Sequence, residues 1–230
     1  MSAGPDRAWL VEERCGSPGE LHAREAPPGR TVTLCGATGA AVVLGSTQPE
    51  SDFDVRRATE AGLAVVRRRS GGGAVLVEPG TLVWADVGLE RGDPLWDDDV
   101  SVSFVWLGEA WAGALAELGV RGAVVHRGRL RFSPWSRALC FAGLGPGEVT
   151  VAGRKLVGVS QRRQRDRAWF ASALYLGPTR VGLDEVVAGG RERRKSAALT
   201  LSQLSTDLTG AGVRVSAADV ASALVAHLPR

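Results

Sequence analysis

Between residues 31 and 176 this chain is built from short apolar runs rich in β-branched residues, each stopped by glycine or proline. Thr31-Val32-Thr33-Leu34-Cys35, Ala41-Val42-Val43-Leu44, Leu63 to Arg67, Ala74-Val75-Leu76-Val77 and Leu82 to Val87 are too short for stable helices and long enough for strands. Gly71-Gly72-Gly73 breaks the series, and Pro79-Gly80 turns its last two members. Val149-Thr150-Val151, Lys155 to Ser160 and Ala168 to Leu176 form a second set, a meander. One stretch differs. From Ser101 to Leu118, apolar residues including Val105, Trp111 and Leu115 recur at helical spacing, and Gly119 is placed to cap the end. A shorter helix is predicted from Phe53 to Ala61, with Ser51-Asp52 as N-cap and Gly62 as C-cap. Two more are predicted near Leu201–Leu208 and Ala217–Leu228. Turn-linked strands with interspersed helices predict an α+β fold, a mainly antiparallel β-sheet core with flanking helices.

Residues 1–30 are polar and interrupted by Pro18, Pro27 and Pro28, so they read as a loosely structured lead-in with one short helix. Residues 31–230 read as a single domain, and 44% hydrophobic residues suffice for its core. After residue 180 there is room for two helices but not for a full accessory domain. Cys15, Cys35 and Cys140 show no metal-binding spacing, and His22, His126 and His227 are scattered, so no metal site is expected. The odd cysteine count fits a reducing compartment. No leader and no membrane-spanning run is evident, and a cytoplasmic protein is expected.

The net charge of +3 is slight. Basic residues cluster at Arg67-Arg68-Arg69, at Arg162-Arg163-Gln164-Arg165 and from Arg191 to Lys195. Such clusters are solvated faces or sites for phosphates and acidic partners. Aromatic residues do not interleave with them as a base-stacking surface requires, which argues against nucleic acid.

Three segments carry potential chemistry. In Arg69-Ser70-Gly71-Gly72-Gly73-Ala74, consecutive glycines allow positive φ and close backbone approach to a ligand. The segment serves equally well as a flexible hairpin turn. Lys155 is one of two lysines among 28 Lys+Arg. In a regular strand it shares a face with Val157 and Val159, while Leu156 and Gly158 share the other. It is either an exposed strand lysine or a buried one that needs an anionic partner. Cys140, in Leu139-Cys140-Phe141, is either a small hydrophobe or a nucleophile activated by a nearby cation.

Together the segments resemble the catalytic domain of the biotin/lipoate protein ligase family, on its lipoate side. Arg68-Arg69-Ser70-Gly71-Gly72-Gly73-Ala74-Val75 is similar to the family's RRxSGGGAV signature. Gly153-Arg154-Lys155-Leu156-Val157-Gly158-Val159-Ser160-Gln161-Arg162 is similar to its GRKxxGSAQR signature. The likeness runs from about residue 31 to 176. It implies a lipoate–protein ligase: lipoate or octanoate is activated with ATP and Mg2+ as an acyl-adenylate, then passed to a lysine of a lipoyl carrier domain. That carrier is the H protein of glycine cleavage or the E2 domain of a dehydrogenase. The resemblance places Lys155 on the acyl carbonyl and α-phosphate. It places Arg69, Ser70, Gly71, Gly72, Gly73, Ala74, Gly158, Ser160 and Ser172 around the acyl and adenylate groups. Two family histidines are replaced, at Val77-Glu78-Pro79-Gly80-Thr81 and at Phe170-Ala171-Ser172. The alternative within the resemblance is an octanoyltransferase that needs no cofactor and holds the acyl group as a thioester on Cys140. A non-catalytic member that binds acyl groups or carriers is the third reading.

Overall fold

In a computed structural model, residues 8–25 and 29–230 are described; residues 1–7 and 26–28, with Pro27 and Pro28, lie outside the described residues. The elements in chain order are β1 (Leu10–Gly16), α1 (Pro18–Ala23), β2 (Thr31–Ala37), β3 (Ala41–Leu44), α2 (Val55–Glu60), β4 (Ala64–Arg67), β5 (Val75–Val77), β6 (Leu82–Glu90), α3 (Val105–Glu117), β7 (Ala123–Val125), β8 (Val149–Val151), β9 (Arg154–Arg163), β10 (Arg167–Tyr175), α4 (Arg191–Leu204) and α5 (Ala217–His227). Seven strands form one sheet in the order β1-β2-β6-β10-β9-β8-β7, and β4-β3-β5 form a second. Pairing is antiparallel except between β1 and β2 and between β3 and β4. The predicted α+β class, with its mainly antiparallel core, is the observed one.

Strand alternation assigns the two faces of the large sheet. Val83, Ala85, Val87 and Leu89 of β6 join Phe170 and Leu174 of β10 in the main core. Leu107, Trp111 and Leu115 of α3 and Val220 and Leu224 of α5 cover them. The opposite face carries Trp84, which packs with Ala41, Val43 and Val77 of the small sheet and with Leu21 of α1. The space between the two sheets is where the site forms.

Several local expectations are corrected. The lead-in is not loosely structured through residues 10–23: β1 pairs in parallel with all of β2, and α1 opens with a Ser17–Glu20 capping box. Its charged, largely exposed strand offers no alternation to read. The N-cap of α2 is Asp54, whose side chain accepts from Arg57 N, and Ser51-Asp52 lie in a preceding 3-10 turn. The long helix begins at Val105, because Asp99 holds Ser101 and the following residues in turns. The helix expected near Leu201–Leu208 runs instead from Arg191 to Leu204. It buries only Ala197, so its basic first turns carry no apolar stripe.

Candidate active site

β8 and β9 join through a two-residue turn with positive φ at Ala152 (50°) and Gly153 (75°), the twist that suits a tight hairpin. Register then slips: Val149 faces Val157 but Thr150 faces Lys155, so β9 carries a bulge at Leu156. A bulge re-aims side chains. Leu156 and Val157 both enter the main core. Lys155 therefore leaves the face shared with Val157 in a regular strand and lies beside Gly158, with Cε 3.2 Å from where a Gly158 Cβ would stand.

Lys155 is 2% exposed. Its Nζ lies 2.7 Å from Glu148 Oε1 and donates to Cys140 O (3.0 Å) and Gly143 O (3.3 Å). An ammonium has three protons to donate, and each has a protein acceptor. Cys140 Sγ is 3.9 Å away, and the Phe141 ring centroid 4.9 Å. Burial pulls the ammonium down, but Cys140 and Glu148 outweigh it and hold Lys155 above its ordinary range. Glu148 is itself fixed by Gly145 N (2.7 Å) and Val159 N (3.2 Å). The buried-lysine alternative thus holds, with Glu148 as the anionic partner. The sequence reading did not single out Glu148. The hairpin turn at Gly153 is the signal that could have found it, because it brings the residue before β8 alongside β9 just beyond the lysine.

Cys140 sits in a 3-10 turn, Cys140–Ala142, pinned by Cys140 N to Ala74 O (2.9 Å) and Ala74 N to Ala138 O (2.8 Å). Here the glycine loop has its use. A Cβ on Gly73 would stand 2.8 Å from Leu139 and Cys140 backbone atoms, and one on Gly45 would stand 1.9 Å from Gly72 O. The close approach is backbone to backbone, and it holds the cysteine. Arg68 locks the loop: Nε donates to Ser70 Oγ (3.1 Å), and the two terminal nitrogens to Val43 O (3.1 Å), Gly71 O (2.7 Å) and Gly73 O (2.8 Å). Ser70 Oγ meets Ser160 Oγ at 3.0 Å. Arg68, not Arg69, faces the interior. Arg69 is paired with Glu25 at the surface. Ser172 is 1% exposed and its hydroxyl donates to Ala85 O at 2.9 Å.

A narrow slot of ≈ 50 Å³ runs between the sheets, and its walls must part to admit a chain of more than a few carbons. One end holds Cys140, Phe141 and Gly158; Ala171 and Ala173 floor it; Val43, Val75 and Val77 roof it; His22 and Trp84 also line it. Such a lining suits an unbranched apolar chain. His22 comes from the lead-in and was missed, since a lone histidine in a short polar helix gives no sequence signal. Lys155 also borders a wider recess of ≈ 470 Å³, with Phe132, Gly143, Leu144 and Leu204. Among the described residues, no group of three or more His, Cys, Asp or Glu could hold a metal ion, and no helix is long and apolar enough to cross a membrane.

The lipoyl protein ligase A/B catalytic domain model matches residues 20–229. Octanoyltransferase LipM of Moorella thermoacetica is 31% identical over 160 residues, which cover 69% of this chain and 54% of that protein; the chain thus matches about half the length of this curated relative. Among solved structures, the bi-partite lipoate protein ligase of Thermoplasma acidophilum superposes with a TM-score of 0.73 at 17% identity, covering 96% of this chain and 82% of the other. A lipoate-protein ligase A bound with ATP gives 0.67 at 18% identity, covering 96% and 83%. At these identities the structural likeness shows the fold.

Proposed function

The chain belongs to the lipoyl protein ligase A/B catalytic domain family, and from that premise we propose that it transfers an octanoyl or related acyl group to a carrier-domain lysine through a thioester on Cys140. The observation that carries the proposal is the Cys140–Lys155–Glu148 cluster. An ammonium held charged 3.9 Å from the sulfur stabilises negative charge on it. The Cys140 sulfur attacks the carbonyl carbon of an acyl thioester donor. A new C–S bond forms, the donor's C–S bond breaks, and the donor leaves as a thiolate that takes up a proton. The neutral amine of the acceptor lysine then attacks the Cys140 thioester. The C–N bond forms, the bond to Cys140 breaks, and the amine's proton ends on the departing sulfur. Lys155 opposes the negative charge that develops in both steps.

Activation with ATP, the first reading from sequence, places Lys155 on an α-phosphate. All three of its donors are held by Glu148, Cys140 O and Gly143 O, which supports the thioester route over an adenylate at that lysine. The similarity to an octanoyltransferase supports the thioester route. The acceptor would be a lipoyl carrier domain, as the resemblance implies.

Intact-mass measurement tests the proposal. Incubated with octanoyl thioester and no ATP, the protein is expected to gain one octanoyl group, which moves to an added lipoyl domain. Cys140→Ser should gain none. Transfer that requires ATP and survives Cys140→Ser would overturn the thioester route. No mass change on either protein with any donor would leave only a binding role.

A further inference from the structure

We infer that the His22–Trp84 pair is the end wall of the acyl slot and sets the length of chain it accepts, so these two residues determine specificity. The inference rests on the slot being the acyl site of the proposed transfer. The register of the large sheet supplies the ruler. Gly158 of β9 lies opposite Ala173 of β10, Ala173 lies opposite Trp84 of β6, and Trp84 lies opposite Cys35 of β2. Residues directly opposite in an antiparallel pair share a face. The row across the slot's floor therefore reads glycine, alanine, tryptophan. The reactive end is fixed over β9, where a Gly158 Cβ would stand 3.2 Å from Lys155 Cε and 3.3 Å from the Phe141 ring. Trp84 is two strands away, roughly 10 Å at the usual strand spacing. An extended chain advances roughly 1.2 Å per bond, so eight carbons span roughly 8–9 Å. The floor is open over β10, where only alanine methyls rise, and closes at β6.

The wall is built to stay in place. The His22 ring stacks on Trp84 with centroids 4.3 Å apart, which closes the end with two rings rather than one. The indole is fixed from below: Trp84 Nε1 donates to Asp86 Oδ1 at 2.7 Å, and Asp86 is 2% exposed. A buried carboxyl with no place in the acyl transfer thereby acquires one, that of a positioning residue for Trp84. His22 is kept neutral by burial and by Arg68, which push it down to about 3, so it presents an uncharged face to the chain.

The test is the affinity of saturated carboxylates from hexanoate to tetradecanoate, measured by calorimetry, beside acylation of Cys140 by the matching acyl thioesters, measured by intact mass. For the unaltered protein, affinity should rise by roughly fourfold per methylene up to about eight carbons and then fall by tenfold or more. Trp84→Ala should move the optimum to longer chains. Because Trp84→Ala removes a large buried side chain from the core, His22→Ala, which opens the wall from the α1 side, is the second variant and should move the optimum the same way with a smaller step. Dodecanoate bound as tightly as octanoate by the unaltered protein would overturn the wall, as would variants that weaken all lengths equally. Length-dependent binding without any Cys140 acylation would retain the wall and reject the thioester route. Binding and acylation both absent at every length would reject both.

Discussion

Lys155 and Glu148 show what burial demands of a single charge. A lysine on an exposed strand is a solvated cation. Buried at 2% exposure, it needs a counter-charge fixed in place, and Glu148 is fixed by two backbone N–H groups. His22 and Asp86 pose the opposite problem, titratable groups buried without a full counter-charge, and they oppose each other in pH. His22 is pushed down from 6.5 to about 3, mainly by burial. Its contribution to stability is complete above pH 6.5 and is lost as pH falls toward 3. Asp86 is pushed up from 3.8 to about 7, mainly by burial and against the hydrogen bond from Trp84. Its contribution is complete below pH 3.8 and is lost as pH rises through 7. The two slopes cancel between about pH 4 and 6.5, each at roughly 1.4 kcal/mol per pH unit. Thermal midpoints at pH 4, 5.5 and 7 should expose them separately. Relative to the unaltered protein, His22→Gln should lose stability as pH rises over this range, and Asp86→Asn should gain it. Two variants that track the unaltered profile would show that neither group is buried as described.

Among the elements, the glycine loop and the β9 bulge do most to aim Cys140 and Lys155, and they differ in how readable they are. The loop is conspicuous in the sequence, where its glycines read as permitting close backbone approach to a ligand; the approach the fold shows is to the Leu139–Cys140 backbone. What approaches was not readable, because Leu139 and Cys140 lie far along the chain and nothing local links them to Gly73. The bulge is invisible to a period-two pattern: Lys155 to Val159 alternate acceptably in either register, and only pairing with β8 shows the slip. Strand positions from 31 onward, β7 (Ala123–Val125) excepted, were legible because apolar runs and turn residues agree. β1 and α4 were not, because both are largely exposed and charged. A local test separates loop geometry from loop chemistry. Gly73→Ala places a methyl against the Leu139–Cys140 backbone and should shift that segment. Overpacking of this kind destabilises by about 1–3 kcal/mol. Cys140 acylation should fall by tenfold or more while Gly71→Ala, whose added methyl meets nothing within 4 Å, stays within about twofold. Equal loss in both variants, read as acylation rate, would mean that the loop acts by touching the substrate instead.

At the scale of the whole molecule, the slot and its closed end lie along one face of the large sheet, so the proposed carrier would have a defined place to arrive. A second small cleft holds His22, Arg68, Arg69, Ser70, Ser160 and Arg162, which marks the basic side of the site. The sequence groups Arg162, Arg163 and Arg165 in one basic cluster, but the fold divides them. Arg163 is engaged within the molecule: it donates to the Asp97 and Asp98 carbonyls and lies 4.4 Å over the Trp96 ring. Arg162 projects on the slot side, since it follows Gly158 and Ser160 at strand spacing, and Arg165 is exposed in the β9–β10 turn. An acidic carrier would therefore be drawn by Arg162 and Arg165, with Arg163 contributing to folding. Steering of this kind acts on association and weakens with salt, because exposed charges are screened beyond about 10 Å at 0.1 M. Arg162→Glu with Arg165→Glu should slow acyl transfer to a lipoyl domain by about tenfold at low ionic strength, and the difference should shrink at 0.5 M salt. Self-acylation of Cys140 by a small thioester, which meets no carrier, should hold within about twofold in the same variant. Arg163→Ala should show the reverse pattern, a lower thermal midpoint and an unchanged salt dependence of transfer. Stopped-flow transfer rates over a salt series for the three proteins decide between these outcomes, and equal salt dependence in all of them would place the carrier on another face.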